Sequence, residues 1–200
     1  MIGVIIGAVA LYEVSLSLSM HLEDVRYWEQ SKRYCEEIGK PLLLIGMRRG
    51  PWMYEQGDVT VDLDSKVLDV SGGVMADVRD MPFAPKQFGV CFCEHVLEHL
   101  PTPYDAELAI NECARVSDKA VFVCPSPYSL YSNMFLPAHH LRLKFDKQNH
   151  KVYVTDNQYR TGFGYNRGVD IGQIIVSDEV APEVVITKGG FVVDEQGISQ

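Results

Sequence analysis

Four short runs in the middle of the chain are apolar along nearly their whole length: PLLLI (41–45), VTVDL (59–63), GVCFC (89–93) and AVFVC (120–124). A strand covered on one face alternates apolar and polar residues, whereas a strand covered on both reads as a continuous apolar run. Between the last two runs lies PYDAELAINECARVS, which places Ala106, Ala109/Ile110 and Cys113/Ala114 on one face of a helix. Ahead of the first run, Leu22 to Ile38 also has mixed 3–4 spacing, and Gly39 stops it. Buried strands alternating with helices imply βαβ units and a doubly wound, mostly parallel α/β sheet. Ligands of such sheets bind at the carboxyl ends of the strands.

Polar chemistry collects at those ends. Gly46-Met-Arg-Arg-Gly50 follows the first run. Asp62 and Asp64 close the second. ADVRDMPF, with Asp77 and Asp80, precedes the third, and Glu94-His-Val-Leu-Glu-His99 follows it. A glycine turn lets backbone approach a ligand, and an acid ending the next strand accepts two ribose hydroxyls, so the order is that of a ribose-bearing cofactor site.

With these signals in this order, LLLIGMRRG, VTVDLD, ADVRDMPF, CEHVLEHL and KAVFVCPSP, the chain resembles the class I S-adenosylmethionine-dependent methyltransferases, and within them the small type 11 group. The resemblance covers about residues 22 to 150 and implies a Rossmann-like fold and S-adenosylmethionine as cofactor. It implies that Gly46 and Gly50 form the cofactor loop, that Asp62 holds the ribose hydroxyls, and that Asp77 with the Val78 backbone faces the adenine. Glu94 and His95 would line the methyl-transfer end. Three positions depart from the family pattern. Leu44 stands where an acid is usual, Arg48 where the middle glycine of the loop is usual, and Gly89 where an aspartate usually follows Phe88.

Other residues carry further expectations. His139-His140 lies past the matched core, where this fold meets its acceptor, and His140 is expected as a general base alongside Glu94 and His95. Tyr128, Tyr131, Tyr159 and Tyr165 are candidates for an acceptor wall or plain packing, and the Gly162–Gly172 loop for a lid or a surface connection. His95-Val-Leu-Glu98-His99 also fits the H-x-x-E-H pattern of inverted zinc proteases, with the histidines as ligands and the glutamate as base. Pro101 and Pro103 leave that helix about one turn, a poor platform for a zinc dyad, so no metal ligand is assigned. The main alternative to catalysis is an inactive binding or scaffold protein on the same fold, which Leu44 and Arg48 favour.

The flanks read differently from the core. MIGVIIGAVALY carries no charged side chain. Twelve helical residues span only about 18 Å, short of a bilayer core of about 30 Å. No basic segment precedes the apolar run, so a secretory signal is not indicated. Residues 14 to 22 alternate Val14, Leu16, Leu18, Met20 and Leu22 with Ser15, Ser17, Ser19 and His21, the pattern of a half-buried strand. The expected division is an apolar N-terminal element over 1–21 (packing, docking or membrane anchor, the last through residues 1–22), a methyltransferase-like core over 22–158, and a loop and β-rich tail over 159–200. In the tail, IIVSD, EVVITKGG and FVVDE read as strands, with a terminal hairpin as one arrangement.

Composition limits the partners. Lys and Arg number 18 against 27 Asp and Glu, a net charge of −9, which disfavours a nucleic-acid acceptor. A small-molecule, glycan or protein acceptor is expected, with a homo-oligomer or docking partner left open. Five cysteines without a C-x-x-C pair point to buried reduced thiols and a cytoplasmic location.

Overall fold

In a computed structural model, the described residues are 2–47, 56–125, 138–146, 149–156, 173–178 and 183–187. Gly50, Arg48, the four tyrosines named above, the glycine-rich loop and FVVDE lie outside them.

A single helix, α1 (Ile2–Ile38), opens the chain. The strand expected over residues 14–22 is therefore part of this helix. No glycine or proline interrupts residues 8–38, and extending a helix already docked by its C-terminal half needs one hydrogen bond per residue, whereas a strand needs a partner edge. The alternation consequently leaves Val14, Leu18 and Leu22 exposed, while Leu16 is buried. α1 also crosses the expected boundary at residue 21 without a break. No helix among the described residues is long and apolar enough to cross a membrane. The helix ends in a Schellman turn, with Gly39 at φ +67° and N–H bonds from Gly39 to the Glu36 carbonyl and from Lys40 to that of Cys35.

The main sheet contains β1 (Leu42–Ile45), β2 (Val59–Asp62), β3 (Gly73–Met75), β4 (Phe88–Glu94), β5 (Ser117–Cys124) and β8 (Gln173–Asp178), in the order β3-β2-β1-β4-β5-β8. The first five are parallel and β8 is antiparallel to β5. Thus one strand of the expected tail completes the sheet. Every residue of β1, β4 and nearly all of β5 is buried, as their continuous apolar runs require. β2 and β3 are joined by a 3-10 turn over Ser65–Asp69, and β3 and β4 by an irregular segment, so helices cover the sheet only in part.

The two faces have separate cores. On one, Leu42, Leu44, Val90, Phe92, Val121 and Val123 pack under Trp28 and Cys35 of α1, and the Trp28 ring meets Phe92 edge-on at 5.1 Å. On the other, Leu43, Ile45, Cys91, Cys93, Ala120 and Phe122 pack under α2 (Pro103–Val116). α2 starts at a capping box, with Thr102 as N-cap, Pro103 in the first turn and Asp105 reaching back to the Thr102 N–H. It buries Ala106, Ala109, Ile110 and Cys113, the face read from the sequence. The same core takes in a small second sheet, in which β6 (Leu141–Asp146) and β7 (Lys151–Asp156) form a hairpin and β9 (Glu183–Thr187) pairs with β7 in parallel. The tail strands β8 and β9 thus belong to different sheets. All five cysteines are buried free thiols.

Two of the three departures acquire a physical reason. Leu44 is 0% exposed within the α1-side core, so the position normally given to an acid is spent on packing. A Cβ at Gly89 would lie 2.9 Å from Cys35 Sγ and 3.1 Å from Ile38 Cδ1. α1 lies so close to β4 there that a larger residue would have to displace both side chains.

Candidate functional site

The strand order reverses between β1 and β4, and the sequence-selected residues gather along the carboxyl edge on either side of that switch point. Gly46 follows β1 at φ +90°. A Cβ there would lie 2.7 Å from the Glu94 carbonyl oxygen and 2.8 Å from Val96 Cγ2, so β1 can turn beside β4 only at glycine. The Gly46 N–H bonds to the Val61 carbonyl. The Asp62 carboxylate accepts the Met47 N–H on one oxygen and the Asp64 N–H on the other, both at 2.8 Å. These bonds fix an acid at the mouth of the glycine turn.

Asp77 lies just beyond β3. Its carboxylate accepts the Arg79 backbone N–H and Nε on Oδ1 and Arg79 Nη2 on Oδ2. Arg79 Nη1 donates to Asp105 in the first turn of α2 at 2.6 Å. The Arg79 hydrogen bonds hold the Asp77 carboxyl below its ordinary pKa against the opposing effect of burial. The Thr102 and Arg79 hydrogen bonds do the same for Asp105. This acid–guanidinium–acid bridge was not read from the sequence. Its findable part was the Thr102-x-x-Asp105 capping box, which sets where α2 begins. Val78 is buried.

Glu94, the last residue of β4, is 5% exposed. His95 leaves the strand at φ +52° while its N–H bonds to the Val123 carbonyl, a left-handed conformation of the kind concentrated at functional sites. Its Nδ1 lies 3.1 Å from Glu98 Oε1. Burial pushes the His95 imidazole pKa down, but the hydrogen bond and charge of Glu98, with Glu94 and with Asp24 of α1, outweigh it and raise the value. Asp24 is thus a contributor that helical periodicity alone did not single out.

Glu98 and His99 occupy a three-residue 3-10 turn, Leu97–His99, that follows β4. His95 falls outside it, so His95 and His99 do not share a face of an α-helix. The geometry does not favour the protease reading, which needs both as ligands on one such face. The segment before β6 returns to this turn: the His140 N–H bonds to the Glu98 carbonyl, and the His139 ring packs edge-on against His99 at 4.9 Å. His140 itself is exposed. The structure therefore brings Gly46, Asp62, Glu94 and His95 to one edge, with Asp77 beyond β3 and His140 beside the 3-10 turn.

A five-stranded parallel sheet with a switch-point glycine and an acid at the end of the next strand is the architecture of a Rossmann-like domain. Residues 54–123 match the family model described as Methyltransferase domain. Solved structures resemble it as follows. A S-adenosylmethionine-dependent methyltransferase from Clostridium acetobutylicum is 14% identical, with 56% of this chain and 54% of that one covered and a TM-score of 0.38. A SAM-dependent methyltransferase from Methanosarcina mazei is 14% identical, with 55% and 68% covered and a TM-score of 0.36. Geranyl diphosphate C-methyltransferase from Streptomyces coelicolor is 13% identical, with 60% and 63% covered and a TM-score of 0.34. The first of the similar structures is covered over 65% of its length. No curated protein sequence matches the chain.

Proposed function

We propose that this protein transfers a methyl group from S-adenosylmethionine to an acceptor bound beyond the end of β4. The observation that carries this reading is the Asp62 carboxylate, pinned by the Met47 and Asp64 N–H groups beside a glycine turn that admits no side chain. When bound, the cofactor supplies a sulfonium methyl already activated for displacement. The chain supplies position. Asp62 would accept the ribose hydroxyls, Gly46 with Gly50 would let backbone approach, and Asp77 with the Val78 backbone would face the adenine. With Leu44 buried in the core, no acid holds the amino-acid end from β1. Glu94, His95 and His140 are the groups to receive an acceptor proton. The rate gain asked of the protein is chiefly that of orienting two reactants.

The acceptor in this reading is a small molecule, glycan or protein, because a net charge of −9 opposes nucleic acid. The five unpaired thiols support a cytoplasmic location. Exposed Leu11, Val14 and Leu18 on α1 support docking or self-association through residues 1–21. Calorimetric titration with S-adenosylhomocysteine tests the reading. Saturable binding that Asp62→Ala weakens about tenfold or more, the loss of a charge-assisted hydrogen bond, is expected; no heat at high micromolar ligand overturns it.

One observation favours a second reading, a non-catalytic binding protein on the same fold. Both Asp77 oxygens are engaged by Arg79, so an adenine amine would have to compete with a guanidinium for them. If S-adenosylhomocysteine binds only to Arg79→Met and not to the parent chain, the second reading replaces the first.

A further inference from the structure

We propose that Glu98, His99 and His139 form a site for a divalent transition-metal ion. One donor atom from each lies within 4.8 Å of the others. Tetrahedral ligands at bonds of about 2.1 Å stand about 3.4 Å apart, so binding asks each side chain to close by roughly 1.4 Å at most, a small rotation.

Three further features point to a ligand. The Glu98 side chain is 2% exposed, and although Oε1 meets His95 Nδ1, the buried Oε2 has no hydrogen-bond partner. A buried carboxylate oxygen left unpaired is costly, and a cation is the usual remedy. His99 Nδ1 lies 3.0 Å from the Ala138 carbonyl oxygen. A carbonyl only accepts, so Nδ1 carries the hydrogen, and in the neutral ring Nε2 keeps its lone pair. That is the arrangement of metal-bound histidines, whose second nitrogen donates to a carbonyl or carboxylate. Finally, the segment bearing His139 is tied to the turn bearing Glu98 by the His140 N–H bond to the Glu98 carbonyl, which holds the third ligand in place before any ion arrives.

Two imidazoles and one carboxylate select zinc, manganese or iron over magnesium and calcium, which prefer oxygen alone. Because His99 is exposed and His139 half-buried, the ion keeps an open position for water or a bound oxygen, unlike a closed structural site. The set differs from the H-x-x-E-H reading: Glu98 is a ligand, His139 replaces His95, and His95 supports Glu98 from behind. The inference stands whether or not the protein transfers methyl groups.

The test is calorimetric titration of chelator-treated protein with zinc chloride, and separately with manganese and magnesium chloride. One zinc per chain is expected, with magnesium weaker by about 100-fold or more. His139→Ala and His99→Asn are expected to weaken zinc about 100-fold, and His21→Ala, on α1, to leave it unchanged. Circular dichroism identifies any variant that fails to fold, and having two ligand variants keeps one usable. Cobalt(II) loading gives an independent readout: weak visible bands of nitrogen and oxygen ligation are expected, and both ligand variants lose them. The proposal is overturned if no zinc binds at roughly 100 µM, if both variants bind within threefold of the parent, or if cobalt shows intense thiolate bands.

Discussion

Gly46→Ala measures how strictly the carboxyl edge depends on that turn. At φ +90° an L-residue with a Cβ pays about 1–2 kcal/mol for the left-handed backbone alone. The new methyl would also meet the Glu94 carbonyl at 2.7 Å and Val96 Cγ2 at 2.8 Å. The first is backbone in a central strand and cannot swing away, so a further 1–3 kcal/mol or so is expected from overpacking. The sum is a loss of about 2–5 kcal/mol. With a urea slope of about 2 kcal/mol/M, the unfolding midpoint falls by about 1–2.5 M. Gly39→Ala is the control. Its φ is +67°, but no atom lies within 4 Å of the position a Cβ would take, so it carries only the dihedral cost of about 1–2 kcal/mol. Equilibrium urea unfolding of both variants separates strain from clash. A Gly46→Ala loss no larger than that of Gly39→Ala refutes the claim that β1 turns against β4 with no room for a side chain.

Further outcomes follow from the same geometry. Arg79→Met should destabilise by about 1–2 kcal/mol at neutral pH, a value kept low because the ion pair is a third exposed. The folded pKa values of Asp77 and Asp105 are depressed, so their contribution is complete above the unfolded value of 3.8 and is lost as pH falls through the folded values; a parent-minus-variant stability difference that stays constant down to about pH 2.5 contradicts this. The thiols should be inert in the native state, since all five are shut away from solvent. A thiol reagent at pH 8 should label none of the five until denaturant is added, and rapid labelling of any one in the folded protein sinks that expectation.

The main sheet was legible because its strands are buried on both faces, which writes an unbroken apolar run into the sequence. β3 was not, because its three residues, Gly73–Met75, include a glycine and are only partly buried. β6 and β7 carried a readable alternation, Leu141, Leu143 and Phe145 against Val152 and Val154, each buried, with Asn149 and His150 at the turn. At residues 14–22 the error ran the other way: a clean period of two is evidence for a strand only where a sheet edge is present to pair with it, and periodicity says nothing about edges.

The site divides along the same physical line. Glycine at 46 and aspartate at 62 are legible because one backbone angle and one pair of N–H groups dictate them locally. Asp77 is ambiguous because its meaning depends on Arg79 and on Asp105, 26 residues further on, and sequence spacing does not say which acids a guanidinium will join. Leu44 and Gly89 look like losses when compared with the family pattern. In the fold they are both consequences of α1, which presses Trp28 and Cys35 onto the face they occupy. A carboxylate at 44 would be buried among Phe92, Val90 and Trp28 at a cost of several kcal/mol. The long N-terminal helix and the missing acid are therefore one change: a chain that packs α1 this closely has to hold the amino-acid end of any cofactor from somewhere other than β1. Glu94 closes β4, and the charge of Asp24 reaches His95 from α1.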